Sequence, residues 1–519
     1  MKSALYISLS VAWLLLTWRS ATIAAQAEDN RSCRPLQIHL ALTGDPTEMR
    51  VMWKTKKKGC RSALQYSKHL ELLMAGNGIL ARSDAEETYG PEDMCGSPAS
   101  GFDFSHLHLH STVLTDLDPG QVHHYRIGED GDTHHFTAAQ APDPRGGMTF
   151  LVFGDMGESE HHRAKSPGAH YTATQLKSEV LDHNADMLLH IGDISYANGD
   201  PKIWDTFMDQ IEPYAAAAPY MIGIGNHEYD YRTGKEHHHE GAGSDPSGED
   251  KPYDPDWGNY GNDSGGECGV TVSKRFKMPG YHSGAANHHE HEANSPFWYS
   301  FEYGSVHFTI ISTEHDLSHG SEQNKWLRQD LESVDRCTTP WLIVGMHRPM
   351  YVVFPHKSNR VVGRHMRGFL EELFDANEVD MVLSGHVHAY ARTCNVYDER
   401  CVDSGSGGMT HVTLGCGGRK LSDVEHEQPE WLDSAAREWG YGRVQVVDGQ
   451  EMLFEFVESE TGEVFDSVRL ENSRSRSRTC LDGELRDWLL QEAWMHDLHG
   501  APAMHLHSIW DLAPSNLYH

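Results

Sequence analysis

Basic residues are scarce in this sequence of 519 residues: Lys and Arg number 43 against 76 Asp and Glu, a formal charge of -33 with His neutral. A chain this acidic lacks the cationic face that displaces counterions from phosphates, which excludes a nucleic-acid binder and a binder of anionic membranes. Long apolar runs are also missing. Beyond the first 27 residues no segment approaches the roughly 20 apolar residues a bilayer needs, so no transmembrane segment is predicted. The nine cysteines include no C-x-x-C pair, no H-E-x-x-H occurs, and Ser404 to Gly408 is a Gly/Ser loop without G-x-S-x-G spacing. Zincin and serine-hydrolase chemistries therefore have no sequence support. The mean hydropathy of -0.57 fits a soluble folded chain, and the length fits two to four domains. What is present in excess is histidine, at 37 residues.

Residues 1–27 carry Lys2, an apolar run from Ala4 to Leu16 and the small-residue exit Ala25-Gln26-Ala27. That three-part form predicts a cleavable secretory signal, with a signal anchor as the alternative, and hence a secreted (extracellular, cell-wall or vacuolar) product. Its removal leaves 41 Lys and Arg against 76 acids, or -35. In an oxidising compartment most of Cys33, Cys60, Cys95, Cys268, Cys337, Cys394, Cys401, Cys416 and Cys480 should be in disulfides, and the odd count leaves at least one unpaired or intermolecular. Cys394 and Cys401 form the most plausible local pair. The sequons at Asn30 and Asn262 agree with a secreted glycoprotein.

From residue 35 to 141, segments such as PLQIHLAL, TEMRVMWKT, HLHLHSTVL and VHHYRIGE alternate apolar with polar residues and are separated by turn signals. This predicts a small antiparallel β-sandwich. After the linker Ala141 to Gly147, short apolar runs (MTFLVF, ADMLLHI, PYMIGI, VHFTIIS, TPWLIVG, VDMVLS, HVTLG) alternate with amphipathic stretches at Tyr171 to His183, Gln323 to Val334 and Val362 to Ala376. Buried strands alternating with helices predict an α/β domain over residues 147–470, closed by three alternating strands after Tyr441. Residues 233–295 read as a long polar insertion with His tracts at His237 to His239 and His288 to His291. Residues 472–519 read as a C-terminal extension.

The chemistry sits where the apolar strands end. FLVF is followed by Gly154-Asp155-Met156-Gly157, LLHI by Gly192-Asp193-Ile194-Ser195-Tyr196, and MIGI by Gly225-Asn226-His227-Glu228. LIVGM leads into His347-Arg348-Pro349, and MVLS into Gly385-His386-Val387-His388. Ligands in open α/β sheets gather outside the carboxyl ends of the strands, so these five ends converge on one site. Any one Asp or Asn there is an ordinary turn former or cap. Five strand ends bearing oxygen and imidazole donors together predict a two-metal centre with a shared carboxylate.

These blocks resemble the purple acid phosphatases within the calcineurin-like metallophosphoesterases, whose D-x-G, G-D-x-x-Y, G-N-H-[DE], V-x-x-H and G-H-x-H motifs stand here in order, with Tyr196 as the specific mark. The resemblance extends from about residue 35 to 470 and is to the larger plant-type form. It implies a fibronectin-III-like N-terminal β-sandwich followed by a four-layer α/β/β/α metallophosphoesterase domain. It further implies Fe(III) on Asp155, Tyr196 and His388, a divalent Zn, Mn or Fe on Asn226, His347 and His386, and Asp193 between them. The implied activity is acid hydrolysis of small phosphate monoesters by direct attack of metal-bound hydroxide. His227 and His356 are then the candidate proton donors to the leaving group, and Asn226, His227, Arg348 and His356 contact substrate. The plant-type pattern has two adjacent His where this chain has His356-Lys357, which leaves Arg348 and Lys357 as alternative cations for the phosphate. The resemblance is compatible with a homodimer.

Two other readings use the same residues. A phosphodiesterase or pyrophosphatase could employ the same centre, because pocket shape decides among them. A secreted His-rich metal-binding protein without catalysis would not need all seven ligand positions, and all seven are filled. Only five of the 37 His (His227, His347, His356, His386 and His388) are site candidates. The rest read as a surface that gains charge as pH falls, from a mature formal charge of -35 toward +2 if every His is protonated.

Overall fold

The computed structural model describes residues 32–60, 63–83, 86–128, 131–229, 263–281, 293–353, 357–403, 405–423 and 428–472. The N-terminal segment, both His tracts, His356, Cys480, both sequon asparagines and the C-terminal extension lie outside them.

Period-two patterning produces seven short strands: β1 (Leu36–Ala41), β2 (Met49–Thr55), β3 (Ala63–Ser67), β4 (Ile79–Arg82), β5 (His108–Leu114), β6 (Val122–Ile127) and β7 (Thr133–Thr137). They pair antiparallel as one sheet ordered β1-β2-β5 and another ordered β4-β3-β6-β7. Leu64 and Tyr66 of β3 and Tyr125 and Ile127 of β6 are buried at alternate positions, as a sandwich core requires. Strands β3 and β4 are absent from the sequence expectation.

The chain continues through β8 (Met148–Phe153), β9 (Met187–Ile191), β10 (Tyr220–Gly223), β11 (Tyr299–Tyr303), β12 (Val306–Ile311), β13 (Trp341–Met346), β14 (Met381–Ser384), β15 (Tyr390–Tyr397), β16 (Arg400–Cys401), β17 (Met409–Leu414), β18 (Leu432–Ala436), β19 (Gly440–Val446), β20 (Glu451–Glu458) and β21 (Val464–Glu471). One mixed sheet is ordered β10-β9-β8-β19-β20-β21; the other is β11-β12-β13-β14-β17-β15-β16, with β18 on β15. Within them β10-β9-β8 and β12-β13-β14-β17 are parallel. Strands β9, β10, β12, β13 and β14 are buried along their whole length, which is why they read as continuous apolar runs.

The two sheets pack face to face, with Phe150 of β8 edge-on to Phe308 of β12 at 5.1 Å. Helices cover the outer faces. Helix Ala169–Leu181 presents Glu179 to Tyr441 and Arg443 of β19, each at 2.7 Å. On the other side, Asp330 of helix Glu322–Ser333 accepts from Thr309 of β12 at 2.7 Å. The result is the expected α/β/β/α layering behind a β-sandwich.

Helix Pro201–Ala215 joins the two parts. It opens on Asp200, whose side chain accepts from the Lys202 amide, with Pro201 at the first position, where a missing N–H costs nothing. Its Asp205 carboxylate is held by Lys54 of β2 at 2.6 Å and by Arg275 at 2.9 Å. Tyr125 of β6 donates to the Ala216 carbonyl beyond its end at 2.7 Å.

Disulfides join Cys33 to Cys60, Cys95 to Cys268 and Cys394 to Cys401, and Cys337 is disulfide-bonded as well. Cys416 is free and buried. Among the described residues no helix is long and apolar enough to cross a membrane.

The histidine reading needs one correction. His39, His190 and His411 are interior, not surface, and burial pushes their pKa values down to about 4, 3 and 3. These three stay neutral well below the ordinary imidazole range, so acidification adds less charge than the histidine count implies.

Candidate metal centre

The site lies where the carboxyl ends of the parallel strands of both sheets meet. Asp155 follows β8, Asp193 follows β9, Asn226 follows β10, His347 follows β13, and His386 and His388 follow β14. Asp155, Asp193, Tyr196 and His386 have positive φ, from 51° to 64°, a conformation that costs a non-glycine residue energy and turns these side chains out of the strand direction. The glycines of the motifs make room for them. A Cβ on Gly192 would lie 2.5 Å from Nδ1 of His347, and one on Gly225 would lie 2.3 Å from Oδ1 of Asp193.

Two groups of donors result. In the first, Tyr196 donates its hydroxyl to Asp155 Oδ1 at 2.8 Å, and His388 Nε2 stands 3.0 Å from the Tyr196 oxygen and 3.2 Å from Asp155 Oδ1. In the second, His347 Nε2 lies 3.3 Å from Asp193 Oδ1, 3.2 Å from Asn226 Oδ1 and 3.3 Å from His386 Nδ1, which itself is 3.0 Å from Asn226 Oδ1. Ligand atoms of Asp193, His347 and His386 fall within 4.8 Å of one another. All seven predicted donors are thus brought together, at separations that leave room for a cation among them.

The ring orientations are fixed from behind. His347 Nδ1 donates to the Ile191 carbonyl at 3.0 Å and His388 Nδ1 to the Lys420 carbonyl at 2.9 Å, leaving each Nε2 toward the centre. Asn226 donates its amide to Asp263 Oδ2 at 3.0 Å, which turns its carbonyl oxygen inward.

The electrostatics fit a place for positive charge. Burial disfavours an ionised His347, yet Asp193 and Asp155 outweigh it and raise its pKa to about 10. His388 is raised against burial by Asp155, and His386 is lowered by burial and by the Arg348 charge. Burial, with the charges of Asp155 and Asp193, holds the Tyr196 phenol well above its ordinary range. The charge of Asp193 acts on Tyr196 and His388 of one group and on His347 and His386 of the other, as a shared carboxylate would.

Of the substrate-contact candidates, His227 is at the rim. Its backbone N–H donates to Asp193 Oδ1 at 2.9 Å, its Nδ1 is 2.8 Å from Asn198 Oδ1, and its Nε2 is 3.9 Å from Asp193 Oδ2. Arg348 is placed differently from a free cation. Its Nε and Nη2 donate to the two oxygens of buried Glu314 at 2.7 and 3.0 Å, and Nη1 reaches His386 Nε2 at 3.2 Å. Lys357 begins helix Lys357–Ala376.

Comparison with known proteins agrees with the motifs. The family model of calcineurin-like phosphoesterases matches residues 148–390, that of the purple acid phosphatase N-terminal domain residues 35–138, and that of the iron/zinc purple acid phosphatase-like protein C residues 408–467. Over 469 residues the chain is 32% identical to a protein of Arabidopsis thaliana named probable inactive purple acid phosphatase 9, covering 84% of this chain and 67% of that protein. The chain belongs to the purple acid phosphatase family. A purple acid phosphatase structure from yellow lupin seeds superposes with a TM-score of 0.71 at 27% identity, covering 91% of this chain and 78% of that one. A Hordeum vulgare protein named nucleotide pyrophosphatase/phosphodiesterase is 32% identical over 67% of this chain and 89% of its own length.

Several residues that build this purple acid phosphatase site carry no role in the sequence reading. Glu228, the last residue of G-N-H-E, accepts from the backbone N–H of Asp193, Ile194 and Gly225 at 2.8, 2.8 and 3.0 Å, tying two strand ends together. Arg419 lies over the Tyr196 ring, 3.9 Å from its centroid. Glu314 comes three residues after the end of β12, another strand of the parallel set.

Proposed function

We propose that this chain hydrolyses small phosphate monoesters in acid at a dinuclear centre. The observation that supports the reading is that the seven donors gather at the strand ends in two groups, with Asp193 Oδ1 3.3 Å from His347 Nε2 and its charge acting on members of both. The donor chemistry fits the metals. Asp155, Tyr196 and His388 would hold Fe(III), because a trivalent ion can keep a phenol ionised where the neighbouring carboxylates keep it protonated. Asn226, His347 and His386 would hold a divalent Zn, Mn or Fe, with Asp193 shared. Bound there, the metals supply Lewis acidity toward phosphate and lower the pKa of water enough to provide a nucleophile in acid.

The chain's own residues do the rest. Asn198 fixes the His227 ring by its Nδ1 and leaves Nε2 at the rim, where a protonated His227 can donate to the departing oxygen. Arg348, held by Glu314, orients His386 instead of gripping phosphate. The relative from Arabidopsis bears the word inactive in its name, but here all seven donors are present and grouped. The disulfides support an oxidising compartment, consistent with secretion to the cell exterior, wall or vacuole.

The barley relative favours one alternative, a diesterase or pyrophosphatase at the same centre. The test is turnover of p-nitrophenyl phosphate, an alkyl phosphate and bis(p-nitrophenyl) phosphate by the metal-loaded protein between pH 4 and 7, in wild type and His227→Ala. Monoester turnover should dominate, and the substitution should slow the alkyl ester about 10²-fold and the nitrophenyl ester much less. Preference for the diester would move the reading to the alternative, and equal losses on both monoesters would remove His227 as proton donor.

A further inference from the structure

One more parallel strand end stands behind the first donor group. Strand β17 runs parallel to β14 and is followed by Gly415-Cys416-Gly417-Gly418-Arg419-Lys420. Its glycines let the segment lie against the D-x-G motif. The Gly417 N–H donates to the Gly154 carbonyl at 2.9 Å, and a Cβ on Gly418 would stand 2.2 Å from the Met156 carbonyl. The next two residues then meet every member of that group. The Arg419 N–H donates to the Asp155 carbonyl at 3.0 Å, the Lys420 carbonyl holds His388 Nδ1 at 2.9 Å, and the Arg419 guanidinium covers the Tyr196 ring, 3.9 Å from its centroid.

In a chain with 76 Asp and Glu, the charge of Arg419 is not given to an acid. Among the described residues its side chain makes no hydrogen bond or ion pair, and its Nη1 is buried without a partner. The arginine beside the second donor group is different: Arg348 reaches His386, but Glu314 takes up its charge through two bonds of 2.7 and 3.0 Å. Arg419 therefore brings an uncompensated cation to the first group alone. Its backbone is fixed on both sides, since Trp439 Nε1 donates to the Arg419 carbonyl at 2.8 Å. A cation over an aromatic face is drawn to the electron density of the ring, and the attraction is greater when a phenolate puts a negative charge there.

We propose that Arg419 is a positioning residue for the charge of the centre: it holds electron density on the Tyr196 ring and so keeps the metal on Asp155, Tyr196 and His388 a stronger Lewis acid toward phosphate. The proposal rests on the reading of that group as an Fe(III) site with an ionised Tyr196. Its sign follows from where the charge lies. The guanidinium sits on the ring itself, so removing it raises the filled orbitals of the phenolate more than the acceptor orbitals of the iron. The visible band then moves to longer wavelength. A stronger phenolate donor and the loss of a nearby positive charge both favour Fe(III) over Fe(II), so the iron becomes harder to reduce.

The experiment compares the visible spectrum and the Fe(III)/Fe(II) reduction potential of the full-length, metal-loaded wild type with those of Arg419→Met, Arg419→Gln and Arg419→Lys. Met and Gln remove the charge and leave the main-chain bonds to Asp155 and Trp439 in place. In both neutral variants the band should move to longer wavelength by about 10 nm or more and the potential should fall. Arg419→Lys, which keeps a cation, should recover at least half of each shift. Neutral variants with the wild-type band and potential overturn the proposal, and so does a Lys variant displaced as far as Arg419→Met, since that pattern follows from packing rather than charge. The wild-type spectrum separates the two failures. A wild-type band that no Arg419 substitution moves rejects the role of Arg419 alone, whereas iron-loaded wild type without a band rejects the ionised Tyr196 and this proposal with it.

Discussion

Asp193→Asn is expected to lower phosphomonoester turnover by about three orders of magnitude or more and to leave the protein with fewer than two bound metals. The substitution is isosteric, and its amide oxygen can still accept the His227 N–H that the carboxylate accepts at 2.9 Å, so the loop keeps its anchor. What disappears is a negative charge that acts on Tyr196 and His388 of one donor group and on His347 and His386 of the other. His347, raised to about 10 against burial chiefly by Asp193, loses its main partner as well. Elemental analysis with steady-state kinetics checks this. A variant that keeps two metals and activity within about tenfold of wild type would remove Asp193 from its shared position.

Glu228→Ala is expected to destabilise the protein by about 3 kcal/mol or more, the largest loss for a residue that touches no proposed metal position. Its two oxygens satisfy three buried N–H groups, those of Asp193, Ile194 and Gly225. Each donor left unpaired in the interior costs about 1–3 kcal/mol. Burial and the nearby Asp193 charge push the Glu228 carboxyl above its usual range, and the backbone N–H groups it accepts from pull the other way. Glu228→Gln keeps the shape of the side chain but turns one acceptor into an NH₂ facing N–H groups, and about half the loss is expected. Urea denaturation of the three proteins at one pH checks the order. A Glu228→Ala loss under about 1 kcal/mol would show that these amides find other partners.

The motif residues were readable because each follows a parallel strand that is buried along all or nearly all of its length, and a polar residue just after a continuous apolar run stands out. Glu314 was hidden by distance: it comes three residues after β12, past Ser312 and Thr313. Asn198 and Arg419 act through loops that no period marks. In the sandwich, β3 and β4 escaped because β4 is four residues long and largely exposed, so it offers little alternation. Helix Pro201–Ala215 has a legible pattern that its prolines mask. Ile203, Trp204, Phe207, Met208 and Ile211 are its buried stripe at helical spacing, while Pro201 and Pro213 look like breakers until one is seen to open the helix and the other to sit in its last turn. The histidine surplus misled in one respect, since composition cannot separate surface imidazoles from interior ones such as His190, packed against Phe153 at 4.7 Å.

The central claim is that Asp155, Tyr196 and His388 hold a trivalent iron beside a divalent metal on Asn226, His347 and His386. The most direct measurement is the visible absorption spectrum of the purified wild-type protein and of Tyr196→Phe, each with its metal content determined. The account predicts two metals per wild-type chain, one of them iron, and a phenolate-to-iron band that Tyr196→Phe abolishes. A colourless wild-type protein holding no iron after iron and zinc are supplied, or a band unchanged by the substitution, would contradict it.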